Sequence, residues 1–417
     1  MDRPSQSVRL SPDPIHRTVV VFLWAGLLLG AYRGMVALGV LSPAAWVSWS
    51  HVHFVTVGGF VLLLFGMLPR YLAWKLDGPS PSPFVAWITT VVVVAAFLAV
   101  WVGRVTGSVV TYDVGLIGLW TATAGLLGWL VHAVRQSDPE VRDGSVWLVL
   151  VATTSFLWGL TIAWGLYGQT LPAPGGWLGL REAHIHANAW GFVGLSVVAV
   201  SFDGYPKLVG MADHLSGRRT ATGLLALGIG PLIAGPWLGL AGTVTALGLL
   251  LYAAGFAVYL NGLVGAYRAG NRSGLGLWVL LAHGWIAAPV AFAPIVIYGG
   301  LRVSPVLLEQ AALHFFFLGW LLPVALVGLL AGARQSPAWA TRRRSRSDIG
   351  RAVSRRFALV WHSGVLLLGL GLLATGIIAR FGIAIGTVVV VAGWGLLLLR
   401  MDTMNGRSTP STDDLSE

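Results

Sequence analysis

The 417-residue chain contains no cysteine, which excludes disulfides, thiolate metal sites and cysteine-ligated iron–sulfur clusters. Histidine is left as the main soft-metal or heme-iron ligand. Charge is also scarce: Asp, Glu, Lys and Arg make up 10% of the residues, against about 25% in an average soluble chain. The balance is lopsided, with 27 Lys and Arg against 16 Asp and Glu and a formal net charge of +11. That excess does not call for a nucleic-acid partner. The arginines fall between apolar runs rather than on a basic domain, and the bias of cytoplasmic loops towards Lys and Arg accounts for them. A cofactor-attachment motif, a cytochrome domain and any soluble appendage that would name a partner are missing as well.

What is plentiful is apolar. The chain is 56% hydrophobic, with 55 Gly and 20 Trp. Runs of about 20 apolar residues, each long enough to cross a bilayer, recur along its whole length. They predict an all-α polytopic membrane protein with spans at 18–41, 51–74, 83–104, 114–135, 145–169, 184–205, 219–235, 238–263, 275–299, 306–332, 357–379 and 382–400. The first run is too long for a signal-peptide core and is expected to be retained. Residues 1–17 and 401–417 are then polar tails, the second expected to be disordered, around a membrane domain at 18–400. Arg70 and Lys75, Arg135 and Arg142, Lys207 with Arg218 and Arg219, and Arg268 with Arg272 occupy alternate loops. The heaviest cluster, from Arg342 to Arg356, follows the tenth span. Twelve helices with both termini cytoplasmic, in the cell membrane, put all of these on one side.

An ionisable side chain at membrane depth is costly and is by default a functional candidate. His51 and His53 open the second span, and His184 and His186 open the sixth. His314 lies about eight residues into the tenth, or roughly 12 Å at 1.5 Å per residue. These spans run in one direction, so the five imidazoles share an outer level. Their helices are four apart, which suggests a pseudo-threefold arrangement of four-helix units. Each continues with glycine at a similar offset: Gly58 and Gly59, Gly191, and Gly319. Residues i and i+2 of a helix point about 200° apart. A His-x-His pair therefore serves centres on opposite flanks, two hemes or a heme and a metal, rather than chelating one ion. The competing reading sends one histidine of each pair to solvent and the other to a backbone carbonyl.

Other candidates are less pointed. His283, near the middle of span nine, is either a ligand or a hydrogen-bonded packing residue. His132 and His362 read as interfacial, and His16 and His214 sit in polar segments. Arg33, inside the first span, can hold a heme propionate by a charge-assisted bond or pair with Glu309. Arg181 and Glu182 can do likewise or cap the mouth of span six. Asn188, one turn below His184, can fix an imidazole tautomer or act as interhelical glue.

Twelve helices with histidines on the second, sixth and tenth resemble subunit I of the heme–copper oxidases. They are equally similar to the NnrS family of heme- and copper-containing membrane proteins linked to nitric oxide stress. The residues that carry the likeness are His51-Val52-His53 followed by Val57-Gly58-Gly59, then His184-Ile185-His186, then Leu313-His314. The oxidase likeness implies a b-type heme between His51 or His53 and His314, with copper beside it. The departures restrict it: the seventh span has no histidine, the sixth no tyrosine until Tyr205, and the tenth a lone His314. Proton-pumping oxygen reduction is therefore not expected, whereas NnrS-like heme binding survives. The resulting expectation is a heme protein for electron transfer or nitric oxide handling. Its partners would be the lipid bilayer, an electron-donor protein or quinol, and a small gas. A twelve-helix secondary transporter and a histidine-lined copper protein without heme are the alternatives.

Overall fold

The computed structural model describes residues 14–168, 171–209, 211–212, 215–270, 272–298, 304–332 and 353–406. Twelve helices within them are long and apolar enough to cross a membrane. In chain order they are α1 (Ile15–Ala37), α2 (Ala45–Lys75), α3 (Pro83–Thr106), α4 (Val109–Gln136), α5 (Gly144–Gly168) and α6 (Gly176–Asp203). Then follow α7 (Arg218–Trp237), α8 (Ala241–Ala269), α9 (Gly274–Ile295), α10 (Leu307–Val327), α11 (Arg355–Leu373) and α12 (Gly376–Leu397). No strand occurs among the described residues. Turns between them are set locally: Gly107 takes φ 74° and Ser108 then caps α4 by accepting from the Thr111 amide at 3.3 Å. The outer faces are apolar, with Val91, Leu98, Ile377 and Val388 exposed, as a lipid-facing surface requires. This is an integral multi-pass membrane protein.

The structure corrects several sequence boundaries. α2 starts at Ala45 and α6 at Gly176, so His51 and His184 lie well inside their helices rather than at the mouths. The mixed segments Ala45–Ser50 and Gly176–Ala183 are not apolar enough to mark a span, yet they have nothing to break a helix. The last helix continues to Gly406, into the stretch expected to be disordered, and residues 407–417 lie outside the described residues. So do His214 and the arginines from Arg342 to Arg351.

The histidine helices form the centre. In α2, α6 and α10 the most apolar windows are 67%, 78% and 72% buried, against 28% for α1 and α3 and 11% for α12. They meet around a small apolar cavity to which Phe60, Leu63 and Leu64, then Val193, Ser196 and Val197, then Leu321, Val324 and Ala325 contribute. α1 packs on α2, α5 on α6 and α9 on α10, while α3–α4, α7–α8 and α11–α12 pair as hairpins outside them. The inner contacts are close because glycine permits them. A Cβ on Gly58 would stand 2.5 Å from Phe22, one on Gly191 2.6 Å from Ser155, and one on Gly319 2.6 Å from Trp285.

Each central helix also changes its hydrogen-bond register. π-helical segments run Phe54–Val61, His186–Gly194 and Phe315–Leu321. Such insertions are rare and gather at functional sites.

At the end of the bundle away from the histidines, four charges tie α2, α5, α6 and α7 together. Lys75 bridges Asp143 at 2.7 Å and Asp203 at 3.0 Å, and Arg218 reaches the same carboxylates at 2.6 and 2.7 Å. Tyr71 donates to Asp203 at 2.8 Å. Removing one anion leaves two half-buried cations short of a partner. Asp203→Ala is expected to cost about 3 kcal/mol, read as a lower melting temperature of the detergent-purified protein, whereas Glu140→Ala, at an exposed position, leaves it unchanged.

Candidate functional site

The five histidines of α2, α6 and α10 share one chemical state, imposed by backbone. His51 Nδ1 lies 2.7 Å from the Gly26 carbonyl, and His184 Nδ1 lies 2.9 Å from that of Gly159, each 25 residues earlier on the preceding helix. His53 Nδ1 faces Trp49 O at 2.8 Å, His186 Nδ1 faces Leu232 O at 2.7 Å, and His314 Nδ1 faces Gln310 O at 2.7 Å. A carbonyl only accepts, so every Nδ1 carries the proton and donates it. A ring protonated at Nδ1 keeps its lone pair on Nε2, the arrangement found in metal-ligating histidines; at His184 that nitrogen lies 3.3 Å from the Asn188 amide nitrogen.

Two of these rings share a cleft. His51 and His314 have ring centroids 6.3 Å apart and planes 28° from parallel. Both line a partly open cleft of about 140 Å³, smaller than the roughly 300–1,000 Å³ of drug-sized ligand pockets. One wall is α1, with Gly30, Ala31, Arg33 and Gly34, and the other is the α11–α12 hairpin, with Leu368, Leu372, Ile383 and Thr387. Gly30 is required there: a Cβ would fall 2.6 Å from His51 Cε1.

Arg33 lies in the cleft within electrostatic reach of both rings. It does not pair with Glu309, because Glu309 holds Arg181 of α6, which also lies 3.8 Å from Glu182. Among the described residues the Arg33 guanidinium has no carboxylate and no hydrogen-bond acceptor. A half-buried cation without a counter-ion calls for an anionic group in the cleft.

The remaining candidates separate. His53 is stacked on Trp49, with centroids 3.7 Å apart, and does not line the cleft of His51 and His314. Asn188 stands against His184, its Nδ2 3.0 Å from Nδ1, and donates to the His184 carbonyl at 2.7 Å. The same Nδ2 lies 3.3 Å from His184 Nε2. His283 is no ligand: it is fully buried, donates from Nδ1 to Val279 O at 2.7 Å and accepts at Nε2 from Tyr259 at 3.0 Å. His362 is not interfacial as expected but buried. Its Nδ1 accepts from Trp285 Nε1 at 2.8 Å, which protonates Nε2 and takes it out of ligation. Among the described residues no three His, Cys, Asp or Glu side chains stand together as an ion-holding group. The α11–α12 wall and the α1 glycines were missed in the sequence. Gly26, Gly30 and Gly34 recur at every fourth residue, a small-residue stripe that marks close helix approach and was there to be read.

No protein-family model matches the chain, and a search of characterised proteins returns no match. The site therefore rests on its own geometry. Gly30→Ala drives the His51 ring off the Gly26 carbonyl and is expected to cost about 1–2 kcal/mol, measured as a lower melting temperature. Gly125→Ala, where a Cβ meets nothing within 4 Å, is expected to raise it, since helical alanine outranks glycine by up to about 1 kcal/mol.

Proposed function

We propose that this protein is a heme-binding electron-transfer protein of the cell membrane, with both termini cytoplasmic and one b-type heme held by His51 and His314. The observation that carries the reading is two neutral imidazoles, each with a free Nε2, facing one cleft beside an unpaired arginine. Gly26 and Gln310 orient the ligand rings through their carbonyls. Arg33 supplies the positive charge that a propionate needs. Leu318, Leu368, Leu372 and Val390 exclude water from the ring faces. When bound, the group supplies a one-electron couple whose potential follows axial ligation and burial. Held by two imidazoles, His51 and His314, such a group would serve electron transfer with a donor protein or quinol rather than gas binding. Nitric oxide handling of the NnrS kind would then proceed through that couple.

Repetition supports the assignment. From α1–α2 to α5–α6 four positions recur 133 residues later, Gly26 and Gly159, His51 and His184, His53 and His186, and Gly58 and Gly191, with the Gly26 and Gly159 carbonyls facing His51 and His184 alike. The central cavity continues it, with Phe60, Val193 and Leu321 leading three matched sets. We read the chain as three quasi-equivalent four-helix units around a pseudo-threefold axis. Copper lacks comparable support, since no three-ligand group stands among the described residues. The carrier reading has one observation in its favour, the charge pairs that tie helices at both ends of the bundle.

The deciding experiment is an absorption spectrum of the protein purified from cells supplied with heme. A low-spin heme spectrum with split α and β bands on reduction is expected, lost in His51→Ala and His314→Ala but kept in His283→Ala. A heme-free protein sinks the proposal and leaves the carrier.

A further inference from the structure

The cavity between α2, α6 and α10 owes its space to a mismatch among the three units. Aligned on Gly58, Gly191 and Gly319, the residues five places on are Leu63, Ser196 and Val324, and those six places on are Leu64, Val197 and Ala325. All six line the cavity, as do Phe60, Val193 and Leu321 two places on. Unit one supplies the largest side chain of each row. Protein interiors are otherwise close-packed, and here Ser196 and Ala325 withhold the volume that Leu63 and Leu64 bring, leaving about 20 Å³.

Ser196 also carries a hydroxyl that nothing meets. Hydroxyls elsewhere in the membrane helices return to the carbonyl four residues back: Thr123 to Leu119 at 2.7 Å, Thr153 to Val149 at 2.9 Å and Ser201 to Val197 at 2.6 Å. Four residues before Ser196 is Phe192, inside the π segment, where the hydrogen-bond register has shifted. Ser196 is fully buried, and its Oγ has no hydrogen-bond partner among the described residues. A buried polar atom left unmet is destabilising and calls for a partner.

The walls define that partner. The cavity's volume of about 20 Å³ exceeds the roughly 10–15 Å³ that admits one water and falls far short of the roughly 150 Å³ that admits an aromatic ring. No ionisable side chain lines the cavity, so a charged occupant would go without a counter-ion. A buried water takes about two to four polar partners, and the lining side chains offer a single hydroxyl. A neutral molecule of two heavy atoms, apolar over most of its surface and a weak acceptor at one end, meets both the volume and the hydroxyl. We infer that the cavity on the central axis is a binding site for a neutral diatomic gas such as dioxygen, with Ser196 donating to it. The site lies apart from the His51–His314 cleft and does not depend on the heme reading.

The test is diffraction from crystals of the full-length protein pressurised with xenon and, separately, with dioxygen. Wild type is expected to show one xenon atom in the cavity, located by its anomalous signal, and elongated dioxygen density against Ser196 Oγ. Ser196→Leu and Ala325→Leu, which copy Leu63 and Leu64 of unit one onto the axis, are each expected to lower both occupancies about tenfold by filling the space. Ser196→Ala only removes an atom and cannot clash. It is expected to keep xenon and to lower dioxygen occupancy about fivefold, the loss of one hydrogen bond. A wild-type cavity that takes neither gas, or that holds an ordered water on Ser196 Oγ which neither gas displaces, overturns the site. Full occupancy in both leucine variants overturns its placement, and unchanged dioxygen in Ser196→Ala overturns the role of the hydroxyl. A protein that takes xenon but no heme removes only the function proposed for the His51–His314 cleft.

Discussion

A neutral imidazole buried in a membrane favours giving its one N–H to an acceptor, and for His51, His53, His184, His186 and His314 a backbone carbonyl stands within hydrogen-bond distance of Nδ1. Leaving a buried donor unmet costs about 1–3 kcal/mol, so the carbonyl decides which nitrogen is protonated. A helical carbonyl already accepts within its own helix but has a second lone pair. A neighbouring ring reaches it only where no side chain stands between. Gly26 and Gly159 provide that access, and His51 and His184 use it identically. The close-packed pairing of α1 with α2 and of α5 with α6 follows from the same glycines, so helix packing and ligand tautomer have one cause.

The π segments extend this logic. A π turn widens the helix and shifts the side chains beyond it around the axis. In α2, α6 and α10 the change begins at or one residue beyond His53, His186 and His314. His51 and His314 can then face their shared cleft while Phe60, Val193 and Leu321 converge on the central cavity. A uniform α-helix would hold these two sets in a different angular relation.

Much of this architecture was legible in the sequence. Twelve apolar runs mark twelve helices, and the spacing of histidine and glycine on the second, sixth and tenth marks their kinship. The helix starts were not legible, because Ala45–Ser50 and Gly176–Ala183 are polar enough to fall outside an apolar window while still forming helix. Of the two partners the sequence offers Arg33, Glu309 is excluded only by the structure, where Arg181 claims that carboxylate. His283 could not be sorted from the ligand histidines without its neighbours: the hydroxyl of Tyr259, which occupies its Nε2, comes from 24 residues away. The α11–α12 wall of the cleft carries no ionisable residue facing it, so nothing in its sequence separates it from lipid-facing helix.

The central claim is that one iron sits between His51 and His314. X-ray diffraction from crystals of the heme-loaded protein, recorded on both sides of the iron absorption edge, locates that atom without reference to spectra or variants. The account predicts one anomalous peak per chain, between the two Nε2 atoms and beside the cleft lined by Arg33. A peak between other side chains, or an ordered His51–His314 cleft with no iron in it, contradicts the account.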